Sequence, residues 1–109
     1  MVPMTELLLY EAARAQHMKD VIKPFLKKRG VVLCDRFSDA TVAYQGYGRR
    51  MDLQWVERLN HLSSQGIRPD VTFLLDCPTD MGLERALRRN RALKREKEER
   101  FEREKIQFH

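Results

Sequence analysis

The lysine and arginine side chains of this sequence are unevenly spread. Between Arg85 and Lys105 there are ten of them against five glutamates, while the rest of the chain holds eleven basic and eleven acidic residues. The formal charge of +5 is therefore local. A basic arm of this kind is a solvated helix, a nucleic-acid contact or a clamp for a phosphorylated ligand. A second place for anion chemistry is Asp35-Arg36, a carboxylate and a guanidinium directly after the apolar run Val31 to Cys34. Charged strand ends are common, and alone the pair reads as a salt bridge. At the carboxyl end of a parallel strand it stands where such sheets bind ligands. Asp76 closes a second apolar run, Val71 to Leu75, in the same way. Tyr10 and Arg14, four residues apart, share one face of a helix, and spacing alone gives a packed ring beside a surface cation. Cys34 and Cys77 have no metal-ligand spacing, and His17, His61 and His109 are scattered. No protein-bound metal is expected, and the two cysteines read as reduced structural thiols.

The elements that must hold these residues follow from hydrophobic spacing. Thr5, with Glu6 in the first turn, is expected to cap a helix whose apolar positions Leu8, Ala12, Ala15, Met18, Val21/Ile22 and Phe25/Leu26 form a core-facing stripe. Pro24 should kink this helix near its end, and Gly30 should close it in the left-handed conformation. Val31 to Cys34 reads as a short strand apolar on both faces, and Asp39 to Gly48 as a short helix and turn. Asp52 is expected to cap a helix through Leu53, Val56, Leu59 and Leu62 that ends near Gly66. A second strand, Val71 to Leu75, precedes a last helix capped by Thr79, whose apolar spacing thins out at Arg88-Arg89-Asn90-Arg91. Helices alternating with two-sided apolar strands predict an α/β unit built on a parallel sheet.

At 109 residues, 42% hydrophobic and 34% charged, the chain has the size and composition of one small globular domain without repeat, linker or internal boundary. No apolar run approaches the roughly 20 residues that span a bilayer, so no membrane partner is expected. The N-terminal Met-Val-Pro-Met-Thr-Glu has no basic segment followed by an apolar stretch, which makes the cytoplasm the expected location.

Four ordered stretches carry a family likeness. They are Leu7-Leu8-Leu9-Tyr10-Glu11-Ala12-Ala13-Arg14-Ala15-Gln16-His17, Cys34-Asp35-Arg36-Phe37, Ala43-Tyr44-Gln45-Gly46 and Arg68-Pro69-Asp70-Val71-Thr72-Phe73-Leu74-Leu75-Asp76. Together they closely resemble bacterial thymidylate kinase over almost the whole chain, and Arg100-Phe101-Glu102 and Phe108-His109 are similar to the segment after the family's lid. The resemblance implies a P-loop NTPase-like (nucleoside monophosphate kinase) parallel sheet with flanking helices and a basic helical lid. It also implies ATP-dependent phosphorylation of dTMP to dTDP in dTTP biosynthesis. Nowhere in the 109 residues is there a GxxxxGK[ST] loop to cradle the ATP phosphates. The family places that loop upstream of Met1 and its last helix and strand beyond His109. The chain is thus expected to be a central fragment, one partial domain over 1–109, with a dTMP-binding part at 5–76 and a lid and following helix at 79–109. The two strands would lie on either side of the P-loop strand rather than side by side.

Residue roles come with the resemblance. Tyr10 and Arg14 would meet the thymine base, the ring as a stacking surface and the guanidinium as a donor fork. Asp35 and Arg36 would be catalytic, Arg36 also binding the dTMP phosphate, which suits a reaction run by dispersed cations and in-line placement. Tyr44 would crowd the sugar 2′ position and Gln45 the base edge. Arg88 and Arg91 of the lid would reach the ATP phosphates. Ala40 stands where the common bacterial pattern has serine, and Thr41 is the hydroxyl next to it. ATP and Mg²⁺ are implied, held largely by the absent P-loop segment. Whole family members are homodimers, and the first helix resembles part of that interface. Several missing phosphate donors, each worth about 3–4 kcal/mol, lead us to expect no turnover from this chain alone. The competing class is a non-enzymatic basic fragment that binds nucleic acid or dimerises. Its arm lacks interleaved aromatics before Phe101, which counts against nucleic acid.

Overall fold

Pro3 sets where the first helix begins. Its fixed φ and missing N–H suit the first helical position, and α1 runs Pro3–His17 with the backbone of Val2 as its cap. The Glu6 N–H donates to the Val2 carbonyl at 3.1 Å, so the expected cap Thr5 lies inside the helix. The computed structural model describes residues 1–92 and 104. Beyond α1 the helix widens into a π-helical stretch, Met18–Ile22, before α2, Lys23–Lys27. Pro24 accounts for the widening, because it has no N–H to donate and its ring crowds the carbonyl four residues back. Arg29, at φ 58°, closes α2 in place of Gly30. Gly30 is needed for room instead, since a Cβ there would lie 2.3 Å from the Phe25 ring.

The two apolar runs are not strands. Val31 to Cys34 and Val71 to Leu75 are irregular, with Leu33 and Leu75 each 94% exposed. Among the described residues no strand is formed, so the expected parallel sheet is not confirmed there. A strand is stabilised by its neighbour's backbone and side chains, and no described segment pairs with either run. Cys34 and Cys77, expected to be reduced structural thiols, are free and exposed.

The chain divides into two units, Met1–Asp70 and Val71–His109. In the first, α1 packs against α4 (Leu53–Ser63) and against a second π-helical stretch (Val42–Gly48) that continues α3 (Ser38–Thr41). Asp52 caps α4 as expected, its carboxylate accepting from the Gln54 N–H at 2.8 Å and the Trp55 N–H at 3.3 Å. Gly66, at φ 76°, closes the turn after α4 and donates to the His61 carbonyl at 3.0 Å.

The buried apolar side chains described in this unit are Leu7, Met18, Ile22 and Val56. Glu6, Glu11, Thr41, Gln45, Asn60, Ser63 and Ser64 are buried with them. Met18 and Ile22 of the expected stripe are buried, but within α1 the inward residues are Glu6, Leu7 and Glu11, while Leu8 and Ala12 are exposed. This offset in the first half of the stripe follows from polar partners. Glu6 and Glu11 find donors inside, and those bonds decide which face turns in.

In the second unit α5 covers Thr79–Ala92. Its first turn is closed by the Pro78 carbonyl, which accepts from the Gly82 N–H at 2.9 Å, so Thr79 is the first helical residue and not the cap. The rest of the basic arm, the continuation of the lid helix, Arg100-Phe101-Glu102 and Phe108-His109 lie outside the described residues, Glu104 apart.

Candidate functional site

Arg14 is the hub of the first unit. Its Nη1 donates to both carboxylate oxygens of Glu11, at 2.9 and 2.8 Å, and to Asn60 Oδ1. Its Nη2 donates to the Phe37 carbonyl at 3.3 Å and to Thr41 Oγ1 at 2.5 Å. The guanidinium carbon also stands 5.4 Å from the centroid of the Phe37 ring. The Arg14 and Glu11 side chains are only 11% and 6% exposed. Ser63 Oγ bonds the same glutamate, and Asn60 Nδ2 donates to the Ser38 carbonyl at 3.4 Å. One side chain thus ties α1 to α3, α4 and the loop before α3, and the surface cation suggested by spacing alone is a largely buried ion pair. Thr41, the hydroxyl beside Ala40, is turned inward to Arg14.

Arg36 and Tyr44 form the second constellation. Arg36 is exposed and held at φ 63°, a conformation uncommon for a side chain of this size. Its Nη1 donates to the Tyr44 hydroxyl at 3.4 Å, and its guanidinium carbon lies 5.5 Å from the centroid of that ring. Asp35 beside it is exposed, and so is Tyr10, at 42%, on α1. Gln45 is buried, and its Nε2 donates to Glu6 Oε1 at 2.6 Å. Arg49 reaches the same carboxylate, with Nη2 3.3 Å from Glu6 Oε2.

Of the residues singled out by sequence, the structure joins Arg36 with Tyr44, and Arg14 with the segment 37–41. It leaves Asp35 and Tyr10 open to solvent and turns the Gln45 amide to the interior. Glu6, Glu11 and Asn60 are the residues that motif reading missed. Glu11 carried a signal, because a glutamate three residues before an arginine is a helical ion pair. A wide groove of about 520 Å³ on α4, lined by Gln54, Glu57, Arg58, His61, Leu62 and Arg68, contains none of the expected residues. In the second unit Arg88 and Arg91 are exposed on α5 and, with Glu84 and Leu87, line a shallow groove of about 260 Å³.

Residues 1–109, the whole chain, match the family model described as thymidylate kinase. This chain belongs to the thymidylate kinase family. It is 57% identical over 109 residues to the thymidylate kinase of Geobacter sulfurreducens, an alignment covering 100% of this chain and 51% of the relative. Identity to the thymidylate kinase of Pelobacter propionicus is 58% over 107 residues, covering 98% and 49%. The chain spans about half the length of the curated thymidylate kinases it matches. Thymidylate kinases have the P-loop NTPase fold, which implies use of ATP and Mg²⁺. These 109 residues hold no phosphate cradle for that chemistry. The sequence has no GxxxxGK[ST] loop, and among the described residues no group of three or more His, Cys, Asp or Glu side chains is placed to hold a metal. No described helix is long and apolar enough to cross a membrane.

Proposed function

We propose that this chain carries the dTMP-acceptor part of a thymidylate kinase, serving the ATP-dependent conversion of dTMP to dTDP for dTTP synthesis. The observation that carries the reading is the Arg36–Tyr44 pair, an exposed guanidinium lying against an aromatic ring in a chain that matches the family throughout. Arg36 presents the positive charge that an acceptor phosphate needs, and its positive φ is the kind of local strain that persists at functional sites. Tyr44, with its hydroxyl on Arg36, places a ring where a sugar attached to that phosphate would lie and crowds its 2′ carbon. Tyr10 offers an open ring for the base. Arg14 stands behind it, its guanidinium fixed by Glu11, Asn60 and Thr41, and supports the base site from within. Asp35 is the carboxylate beside the acceptor oxygens, and Arg88 and Arg91 are lid cations for the donor phosphates.

In the whole enzyme we place 31–34 and 71–75 in a parallel sheet, since their two-sided apolar character suits burial between helix layers. We also place the exposed apolar residues of α1 in a homodimer contact, and the enzyme in the cytoplasm. Nuclear magnetic resonance of the labelled chain titrated with dTMP tests the acceptor reading. Shifts centred on Tyr10, Arg36 and Tyr44 are expected, and shifts confined to α5 with dTMP or with single-stranded DNA would favour a basic binding module instead.

A further inference from the structure

Glu6 is a buried carboxylate, 2% exposed, and burying such a group is costly unless it is paired and hydrogen-bonded. Two of its partners, Gln45 and Arg49, come from one short stretch. Gln45 Nε2 donates to Oε1 at 2.6 Å, Arg49 Nε to the same oxygen at 3.4 Å, and Arg49 Nη2 to Oε2 at 3.3 Å. Gln45 is itself 2% exposed, so its amide faces this carboxylate and not solvent. The stretch that carries Gln45, Val42–Gly48, is π-helical and less regularly bonded than an α-helix, and needs anchoring from outside.

Tyr44 sits directly beside the anchors. The Arg49 N–H donates to the Tyr44 carbonyl at 2.9 Å, the Met51 N–H donates to the Gly46 carbonyl at 2.9 Å, and the residue after Tyr44 is clamped by Glu6. Gly46 lets the stretch sit closely on α4, since a Cβ there would come within 2.6 Å of Leu53 Cδ2. A continuous set of contacts therefore runs from Glu6 on α1, through Gln45 and Arg49, to Tyr44 and on to Arg36.

We infer that Glu6 is a positioning residue for nucleotide recognition, fixing the Tyr44 ring against the sugar through Gln45 and Arg49 and thereby setting the preference for a deoxyribose over a ribose. Gln45 acts inside this clamp and does not touch the base. The inference rests on the acceptor-site reading above. The test measures dissociation constants of the unaltered chain, Glu6→Gln and Glu6→Ala for dTMP and for its ribose counterpart. Thermal transitions are recorded for all three, with hydrogen exchange of residues 42–48.

Expected are a preference for dTMP in the unaltered chain, about a tenfold loss of dTMP affinity in Glu6→Ala and about threefold in Glu6→Gln, which keeps an oxygen for Gln45. The dTMP-to-ribose preference narrows and exchange at 42–48 quickens in both. If Glu6→Ala does not fold, Glu6→Gln decides. Folded variants that keep the unaltered affinities, or that lose only thermal stability with the preference intact, overturn the inference. An unaltered chain that binds neither nucleotide overturns the acceptor reading itself, and the inference with it.

Discussion

Replacing Arg14 with alanine should do far more than remove a base contact. The truncation leaves Glu11, 6% exposed at its side chain, buried without its cation. It also strips donors from Asn60 Oδ1, Thr41 Oγ1 and the Phe37 carbonyl. Breaking one half of a buried ion pair costs about 3–5 kcal/mol. A domain of this size has only about 5–15 kcal/mol of total stability, so a large share of it is at risk. The thermal midpoint should fall by on the order of 15 °C or more. The assay is urea denaturation followed by circular dichroism at 222 nm. Arg14→Ala is compared with Arg14→Met/Glu11→Gln, in which both charges are gone. The double variant should be more stable than Arg14→Ala, because the stranded carboxylate dominates the cost. A loss below about 1 kcal/mol in Arg14→Ala, or a double variant that is no better, would refute the view that this ion pair, through Asn60 and Ser63, joins α1 to α4. If the view stands, lost nucleotide binding in Arg14→Ala is no measure of a base contact.

Arg36→Ala makes the opposite kind of change. Arg36 is exposed, so stability should move by no more than about 0.5 kcal/mol while dTMP affinity drops about tenfold or more, read by denaturation and titration side by side. Asp52→Ala removes the carboxylate that accepts from Gln54 and Trp55 and should cost about 1 kcal/mol in urea denaturation, without changing affinity for dTMP. Gly30→Ala places a methyl 2.3 Å from the Phe25 ring, which is half exposed and can swing aside, so it should destabilise by no more than about 1 kcal/mol, with Phe25→Leu in the same chain recovering part of the loss.

Helices were the most legible part of the sequence. Asp52 and Gly66 bracket α4 because capping and left-handed closure are local chemistry, decided within a few residues. The inward face was legible only past the end of α1, where Met18 and Ile22 are buried; within α1 the apolar spacing points to Leu8 and Ala12, which are exposed. The inward turn of Glu6 and Glu11 depends on Gln45, Arg49 and Ser63, tens of residues away. The apolar runs at 31–34 and 71–75 have strand composition, yet a strand exists only with a neighbour, and composition does not supply one. For the site, ordered motifs led to Tyr10, Arg14, Arg36 and Tyr44. They could not show that Arg14 spends its donors on the protein or that Gln45 faces inward, because both facts lie in tertiary contacts.

The central claim is that an acceptor-nucleotide site is built into this chain, and calorimetric titration tests it most directly. The purified chain, shown to be folded by circular dichroism, is titrated with dTMP, dUMP, UMP and ATP. The account predicts saturable binding selective for dTMP that Arg36→Ala weakens about tenfold or more without loss of the fold. A folded chain that binds none of the four, or binds all four alike, would contradict it.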